Sequence, residues 1–290
     1  MRRAIRVRDL SGPFRGSQAV QAGVLTPAQL RGPGVQRLFQ DVYLPAGFPV
    51  THEMRCLGAA LALPPEAVIT GRSAATLRGV ALARAGDPVE VLVPETVQVN
   101  RRTGFNVRRT QVGASEREPW GGVALATPLR MGLDLLLDRA LPDAVADLDA
   151  VLRAGLLDRG ALRGLLAVRH DRGIVQARRA EELADPRAES CPESRVRVWL
   201  VLDGLEPVPQ YWIEDARDRL ACVDLAFPEQ QVAVEYDGAW RDGQLWALNR
   251  DRERLNRVHA AGWEVVFVTA PLLADPPKMV ATVRAALARR

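Results

Sequence analysis

Short apolar runs alternating with longer amphipathic stretches predict an α/β fold for this chain, and three observations carry that reading. Two apolar runs, residues 222–227 and 231–238, flank a Pro228-Glu229-Gln230-Gln231 turn and read as one hairpin. Helical patterns lie on either side, over residues 190–204 and 244–261, the second stopped by Gly262. A buried strand over 263–269 and a helix opened by Asp275-Pro276 complete the order helix, three strands, helix, strand, helix.

From the N-terminus, residues 17–23 read as a short helix capped by Ser17, and Thr26-Pro27 opens a second helix with Thr as cap and Pro next. Residues 36–43, ending in Leu44-Pro45-Ala46-Gly47, suit a wing-like hairpin. This is the layout of a winged helix-turn-helix over residues 1–60, whose second helix would enter a major groove with Arg31 and Arg37 as contacts; the plainer alternative is a module that only packs against its neighbours. A mixed α/β middle region over 61–168 has strands at 89–93 and 105–109 and helices around 74–77 and 128–137. Arg101, Arg102, Arg108 and Arg109 form its basic patch, which a solvated strand edge explains equally well. The polar, arginine-rich stretch 169–187 reads as the linker to a C-terminal domain over 188–290.

In that domain Ser190-Cys191-Pro192-Glu193 has the capping-box pattern, so Glu193 reads first as a cap. Val196, Trp199, Leu200 and Leu202 follow on its helix, which Gly204 ends. A strand at 211–213 and a polar turn over 214–218 lead into the hairpin. Its turn is centred between Glu229 and Gln230, so residues whose numbers sum to 459 stand opposite each other, and Asp224 faces Glu235. Opposed side chains have Cβ atoms about 4.5–5.5 Å apart, and like charges there are destabilising unless neutralised. Strand alternation places Glu235 and Asp237 on one face and Val232, Val234 and Tyr236 on the other. Singly, each acid reads as a strand end, an arginine partner or a turn; together they are hard oxygen ligands suited to Mg²⁺ or Mn²⁺.

These residues carry a resemblance. The element order, with Glu193, Asp224 and Glu235-Tyr236-Asp237-Gly238, resembles the PD-(D/E)XK restriction-endonuclease-like nucleases. The string Val-Ala-Val-Glu-Tyr-Asp-Gly-Ala-Trp at 232–240, with Asp251-Arg252-Glu253-Arg254-Leu255-Asn256 and Gly262-Trp263-Glu264-Val265-Val266-Phe267-Val268-Thr269, is similar to an uncharacterised bacterial domain family related to the very-short-patch mismatch-repair endonucleases. The resemblance implies a metal-dependent nuclease core in which Asp224 and Glu235 hold Mg²⁺ or Mn²⁺, Glu193 is an outer-shell or second-metal acid, and a third residue prepares the attacking water. Asp237 stands where such nucleases usually carry lysine, and Lys278 is the chain's one lysine. The mismatch-repair relatives use histidine instead; just after Gly-x-Trp this chain has Arg241, and His259 sits near the far end of the long helix. The N-terminal half resembles the abortive-infection type IV antitoxins through residues 68–75 and 126–134, which implies DNA binding and operon repression, with a toxin or operon partner or a second copy of the chain as companion.

Arg250, Arg254 and Arg257 share a helical face and could track a phosphate backbone, although a charged face is more often simply solvated. Thirty-eight of the 39 basic residues are arginine, which points to a chain-wide preference rather than local selection. Trp240 and Trp246 suit base stacking or, better, a core or rim. A net charge of +4 permits nucleic-acid binding without requiring it. Three scattered cysteines, Cys56, Cys191 and Cys222, and three unclustered histidines argue against zinc and for a reducing cytoplasm. No long apolar run suits a membrane span, and the basic start lacks the apolar core of a signal peptide. Two functions follow as expectations: a metal-dependent DNA endonuclease, or an antitoxin-type DNA-binding regulator whose nuclease-like domain serves binding or dimerisation.

Overall fold

A computed structural model of the chain describes residues 10–97, 104–214, 219–238 and 245–290, with backbone alone for 245–252. The fold is mixed α/β, with helices and three sheets among the described residues. The chain divides into two units, one formed by Met1–Leu135 with Leu156–Leu162, the other by Leu136–Gly155 with Arg163–Arg290.

In the first unit β1 (Phe14–Arg15), β2 (Val35–Phe39) and β3 (Val42–Pro45) form a sheet of order β1-β3-β2 beside α1 (Gly16–Gln21). Asp41 turns the β2–β3 hairpin at φ 59°, and its carboxylate accepts from the Ser17 backbone N–H and hydroxyl. The expected second helix is a single 3-10 turn, Gln29–Arg31. Thr26 and Gln29 cap each other reciprocally, but Gly32-Pro33-Gly34 follows at once, and proline cannot supply the next helical N–H. A helix absent from the sequence reading, α2 (His52–Ala62), starts at Thr51, whose hydroxyl accepts from the Met54 N–H at 3.2 Å.

The second sheet has the order β6-β5-β4-β8-β7, from β4 (Val68–Ile69), β5 (Val89–Val93), β6 (Phe105–Arg109), β7 (Arg117–Trp120) and β8 (Val123–Ala126). β5 and β6 lie where the sequence places them, α3 (Gly71–Leu77) starts three residues earlier than the predicted helix at 74–77, and α4 (Pro128–Leu136) matches the predicted 128–137 to within one residue. Gly71 is needed at the head of α3: its φ is 55°, and a Cβ there would stand 1.9 Å from Glu90 Oε2, which accepts from the Arg72 N–H.

The second unit gathers α5 (Leu141–Arg153), α6 (Arg159–Val168, in part), α7 (Ile174–Leu183) and α8 (Cys191–Leu202) with a four-stranded sheet. The segment 169–187 is therefore not a linker. Ile174, Ala177, Ala180 and Leu183 of α7 are buried, and small alanines on an arginine-rich helix hide that apolar stripe from a composition reading. An ion pair ties this segment down: Asp149 on α5 bonds Arg197 Nη2 on α8 at 2.8 Å and the Asp185 N–H at 2.6 Å, while Arg197 Nη1 donates to the Leu183 carbonyl.

The sheet runs β12-β11-β10-β9, from β9 (Val208–Glu214), β10 (Arg219–Phe227), β11 (Val232–Asp237) and β12 (Glu264–Thr269). α9 (Leu245–Ala260) carries the chain from β11 to the parallel β12, and Gly262 at φ 85° follows its end. The short α10 (Ala270–Leu273) precedes α11 (Pro276–Leu287), capped by the Asp275 side chain. One face of the sheet packs Leu225, Phe227, Val232 and Val234 against Val196, Leu200, Met279 and Val283 of α8 and α11. The other packs Ile213, Val223 and Ala233 against Val258 of α9 and Trp263. Among the described residues no helix is long and apolar enough to cross a membrane.

Candidate active site

The hairpin pairs as the numbering sum of 459 requires: Phe227 faces Val232, Ala226 faces Ala233 and Leu225 faces Val234. There the ladder stops. β11 remains paired with β12 as far as Asp237 and Thr269, and β10 with β9 as far as Arg219 and Glu214, so the two strands part from each other at Asp224. The Asp224 Oδ2 takes over from a strand carbonyl and accepts the Tyr236 N–H at 2.8 Å. The face assignment also holds: Val232, Val234 and Tyr236 belong to the α8 side, and Ala233, two residues before Glu235, to the α9 side.

The peeling has a visible backbone cause. Ala221 and Val223 pack on the α9 side, whereas Leu225 and Phe227 pack on the α8 side, so side-chain alternation reverses at Asp224. On β9 the register puts Gln210 opposite Asp224, between the pairs Val223–Tyr211 and Leu225–Pro209, and Gln210 sits at φ 51°. A left-handed non-glycine residue in a strand costs roughly 1–3 kcal/mol and clusters at functional sites. The Gln210 side chain spans the gap: its Nε2 donates to Glu193 Oε2 at 3.1 Å, and its Oε1 accepts from the Cys222 thiol at 3.4 Å. Gln210 and Cys222 join the candidate cluster and have no place in the sequence reading; only the adjacent Pro209 hinted that β9 is irregular there.

Glu193 is both cap and site residue. Its backbone N–H donates to Ser190 Oγ at 3.4 Å, its Oε2 also accepts from the Glu189 N–H at 2.9 Å, and it is buried beside Asp224. Glu235 is 7% exposed, and Arg254 of α9 clamps it with two parallel bonds, Nη1 to Oε1 at 2.7 Å and Nη2 to Oε2 at 2.8 Å. Burial, and then the neighbouring charges of Glu193 and Glu235, push the Asp224 carboxyl up to about 7 against the pull of the Tyr236 N–H and Arg254. Burial raises the Cys222 thiol too, aided by the charges of Glu189, Asp224 and Glu235. Carboxylates from α8, β10 and β11 thus act on one another electrostatically, with one guanidinium among them. Among the described residues no group of three or more His, Cys, Asp or Glu side chains is arranged to hold a metal ion, and both oxygens of Glu235 face the arginine.

Asp237 ends β11, half-buried. Lys278 is exposed in the first turn of α11. His259, at the C-terminal end of α9, is exposed, and its Nδ1 bonds the Trp263 carbonyl. Of the arginine stripe, Arg254 turns to Glu235 and Arg257 donates to the Leu220 carbonyl at 3.3 Å; the side chain of Arg250, with Arg241, Trp240 and Trp246, lies outside the described residues. Behind β11, on the Tyr236 side, a cleft of 380 Å³ is lined by Pro192, Trp199, Leu273 and Pro276.

In the first unit Arg31 and Arg37 are exposed, on the 3-10 turn and on β2. The middle basic patch is largely committed: Arg108 pairs with buried Asp134, and Arg109 donates to the Glu95 and Val97 carbonyls. Arg101 and Arg102 lie outside the described residues.

No family model matches the chain. Two curated proteins do, each 30% identical over 237 residues and covering 80% of both chains: the uncharacterized protein MT2308 of Mycobacterium tuberculosis strain CDC 1551 / Oshkosh and the uncharacterized protein Rv2248 of strain ATCC 25618 / H37Rv. Among solved structures, the crystal structure of the RV2827C protein from Mycobacterium tuberculosis is similar over 70% of this chain and 80% of that one, at 15% identity and a TM-score of 0.42.

Proposed function

We propose that this chain, which belongs to the family of the mycobacterial proteins Rv2248 and MT2308, is a metal-dependent DNA endonuclease whose N-terminal module helps to place its cutting site on the duplex. The observation that carries this reading is the convergence of Glu193, Asp224 and Glu235 where the β10–β11 ladder opens. Burying like charges together is costly, and the cluster has more negative charge than Arg254 offsets. Hard carboxylate oxygens with that charge suit Mg²⁺ or Mn²⁺. Asp224 and Glu235 would hold the ion and Glu193 would stand behind them. When bound, the ion supplies a Lewis acid against phosphoryl oxygen and a more acidic water.

The protein's own groups do the positioning. The Tyr236 N–H fixes the Asp224 carboxylate at the fork of the strands, and Gln210 fixes Glu193 beside it. The wall of Leu225, Val234 and Val266 behind the fork keeps water to one side. Arg31 and Arg37, exposed on the first unit, supply charge for phosphate contacts that set register rather than sequence.

The alternative is a DNA-binding regulator with a silent nuclease-like domain, and the clamp of Arg254 on Glu235 favours it. One experiment separates the two: nicking of supercoiled plasmid in Mg²⁺, Mn²⁺ or EDTA by the wild-type protein and Asp224→Asn. Metal-dependent nicking by the wild type, lost at least ~100-fold in the variant, supports the nuclease. Equal cutting by both refutes the assignment of Asp224, and tight duplex binding without cutting by either supports the regulator.

A further inference from the structure

We propose that the cleft behind β11 is a binding site for a free amino acid with an apolar side chain. This goes beyond the nuclease reading and does not depend on it. The cleft lies wholly within the second unit, has a volume of 380 Å³, and is walled by Trp199, Tyr236, Leu273 and Pro276. That volume is at the small end for ligand pockets, which run from about 300 to 1,000 Å³. Trp199, Tyr236 and Leu273 pack against the core between the sheet, α8 and α11 yet are only partly buried, so a ligand that covers them gains the burial that the fold leaves incomplete.

The polar lining decides which ligand fits. Asp143 in the first turn of α5 and Arg195 on α8 both line the cleft, and their ion pair joins Arg195 Nε to Asp143 Oδ1 at 2.7 Å. The pair uses one atom from each, which leaves Arg195 Nη1 and Nη2 and Asp143 Oδ2 for a ligand. The Arg195 side chain is 35% exposed and that of Asp143 44%, so both charges are reachable from solvent. One cation and one anion side by side carry no net charge. A phosphate or a lone carboxylate would gain Arg195 and be repelled by Asp143, and a lone amine would meet the reverse. A zwitterion satisfies both, with its carboxylate accepting from the Arg195 guanidinium and its ammonium donating to Asp143 Oδ2. The end of a peptide chain offers one of those charges; a free amino acid offers both on one carbon. Beside Trp199 and Tyr236, the side chain on that carbon is apolar. The two charges are also placed in advance, because α5 and α8 pack together and the buried Asp149–Arg197 pair locks one to the other. Little ordering is left for the ligand to impose.

The test is titration calorimetry of the full-length protein with L-phenylalanine and L-leucine, against glycine, hydrocinnamate, which lacks the amine, and phenethylamine, which lacks the carboxylate. The two apolar amino acids are expected to bind, and the other three compounds at least tenfold more weakly. Arg195→Met and Asp143→Asn, with thermal melting as the check on folding, are each expected to weaken L-phenylalanine at least tenfold, whereas Asp143→Asn should leave hydrocinnamate no weaker. Ala274→Phe, which fills the cleft from the end of α10 and leaves both charges in place, should abolish binding and keeps the test intact if a charge variant does not fold. Phenylalanine binding that is unchanged in a folded variant, a one-charge analogue that binds as tightly as the amino acid, or no binding of either amino acid at millimolar concentration overturns the proposal.

Discussion

Arg197→Met would break the buried ion pair that ties α5 and the segment after α7 to α8, and the structure sets both its cost and its pH dependence. Asp149 is 1% exposed and Arg197 6%. Burial pushes the Asp149 carboxyl up to about 6 even with Arg197 pulling it down. In the wild type, then, Asp149 favours the folded state fully below its ordinary value near 3.8, and this contribution is lost as pH rises through about 6. A shift of about two units corresponds to ~3 kcal/mol. Removing the arginine leaves a lone buried carboxylate at pH 8, which costs about 3–5 kcal/mol. At pH 5 the carboxyl carries its proton and the loss falls to roughly 1–2 kcal/mol, that of the bonds Arg197 made to Asp149 and Leu183. Urea unfolding of wild type and Arg197→Met at both values, followed by tryptophan fluorescence, to which Trp199 on α8 contributes, measures the gap. A gap that does not change with pH, or one below ~1 kcal/mol at pH 8, refutes the reasoning.

Gly71→Ala should cost about 3 kcal/mol, roughly 1 from a side chain at positive φ and 2 from displacing Glu90 from the Arg72 N–H. Combined with Glu90→Ala the cost should be well short of additive, and additivity in a double-mutant cycle would contradict the predicted clash. Asp224→Asn keeps an acceptor for the Tyr236 N–H whereas Asp224→Ala orphans it, so melting should show the alanine variant about 1–3 kcal/mol less stable than the asparagine one. Replacing Arg31 and Arg37 by alanine should leave melting unchanged and flatten the salt dependence of duplex binding by roughly 0.9 in log–log slope for each phosphate no longer neutralised. An unaltered slope would remove these two arginines from the DNA interface.

The C-terminal site was legible where local chemistry decides. A turn of four residues sets hairpin register to the residue, so the pairing from Phe227–Val232 to Leu225–Val234 followed from counting, but the expected next pair, Asp224 with Glu235, falls just beyond the end of that ladder. Ser190 and Asp275 announced their helices because a side-chain acceptor three residues before an orphan N–H is a local device. The partner of Glu235 was not legible in the same way. Helical spacing puts Arg254 on a face, but whether that face meets water or a carboxylate depends on the crossover from β11 to β12. Gln210 was equally hidden, since its left-handed conformation is imposed by two neighbouring strands and glycine would have been the residue to expect. α7 was missed for another reason: two of its four buried apolar residues, Ala177 and Ala180, are small, so a charged composition outweighed a weak stripe.

The way the chain passes between its two units has a consequence for how it is made. α5 belongs to the second unit, yet Leu156–Leu162 returns to the first before the chain comes back for good at Arg163. During synthesis α5 therefore leaves the ribosome with Val145, Leu148 and Val151 ready for burial while its neighbour α8 is still untranslated. The wait to the end of α8 is about 50 residues, a few seconds at ~5–20 residues per second. For those seconds a newborn apolar helix stands without the partner that buries it. No single proteolytic cut at the crossings releases either unit whole.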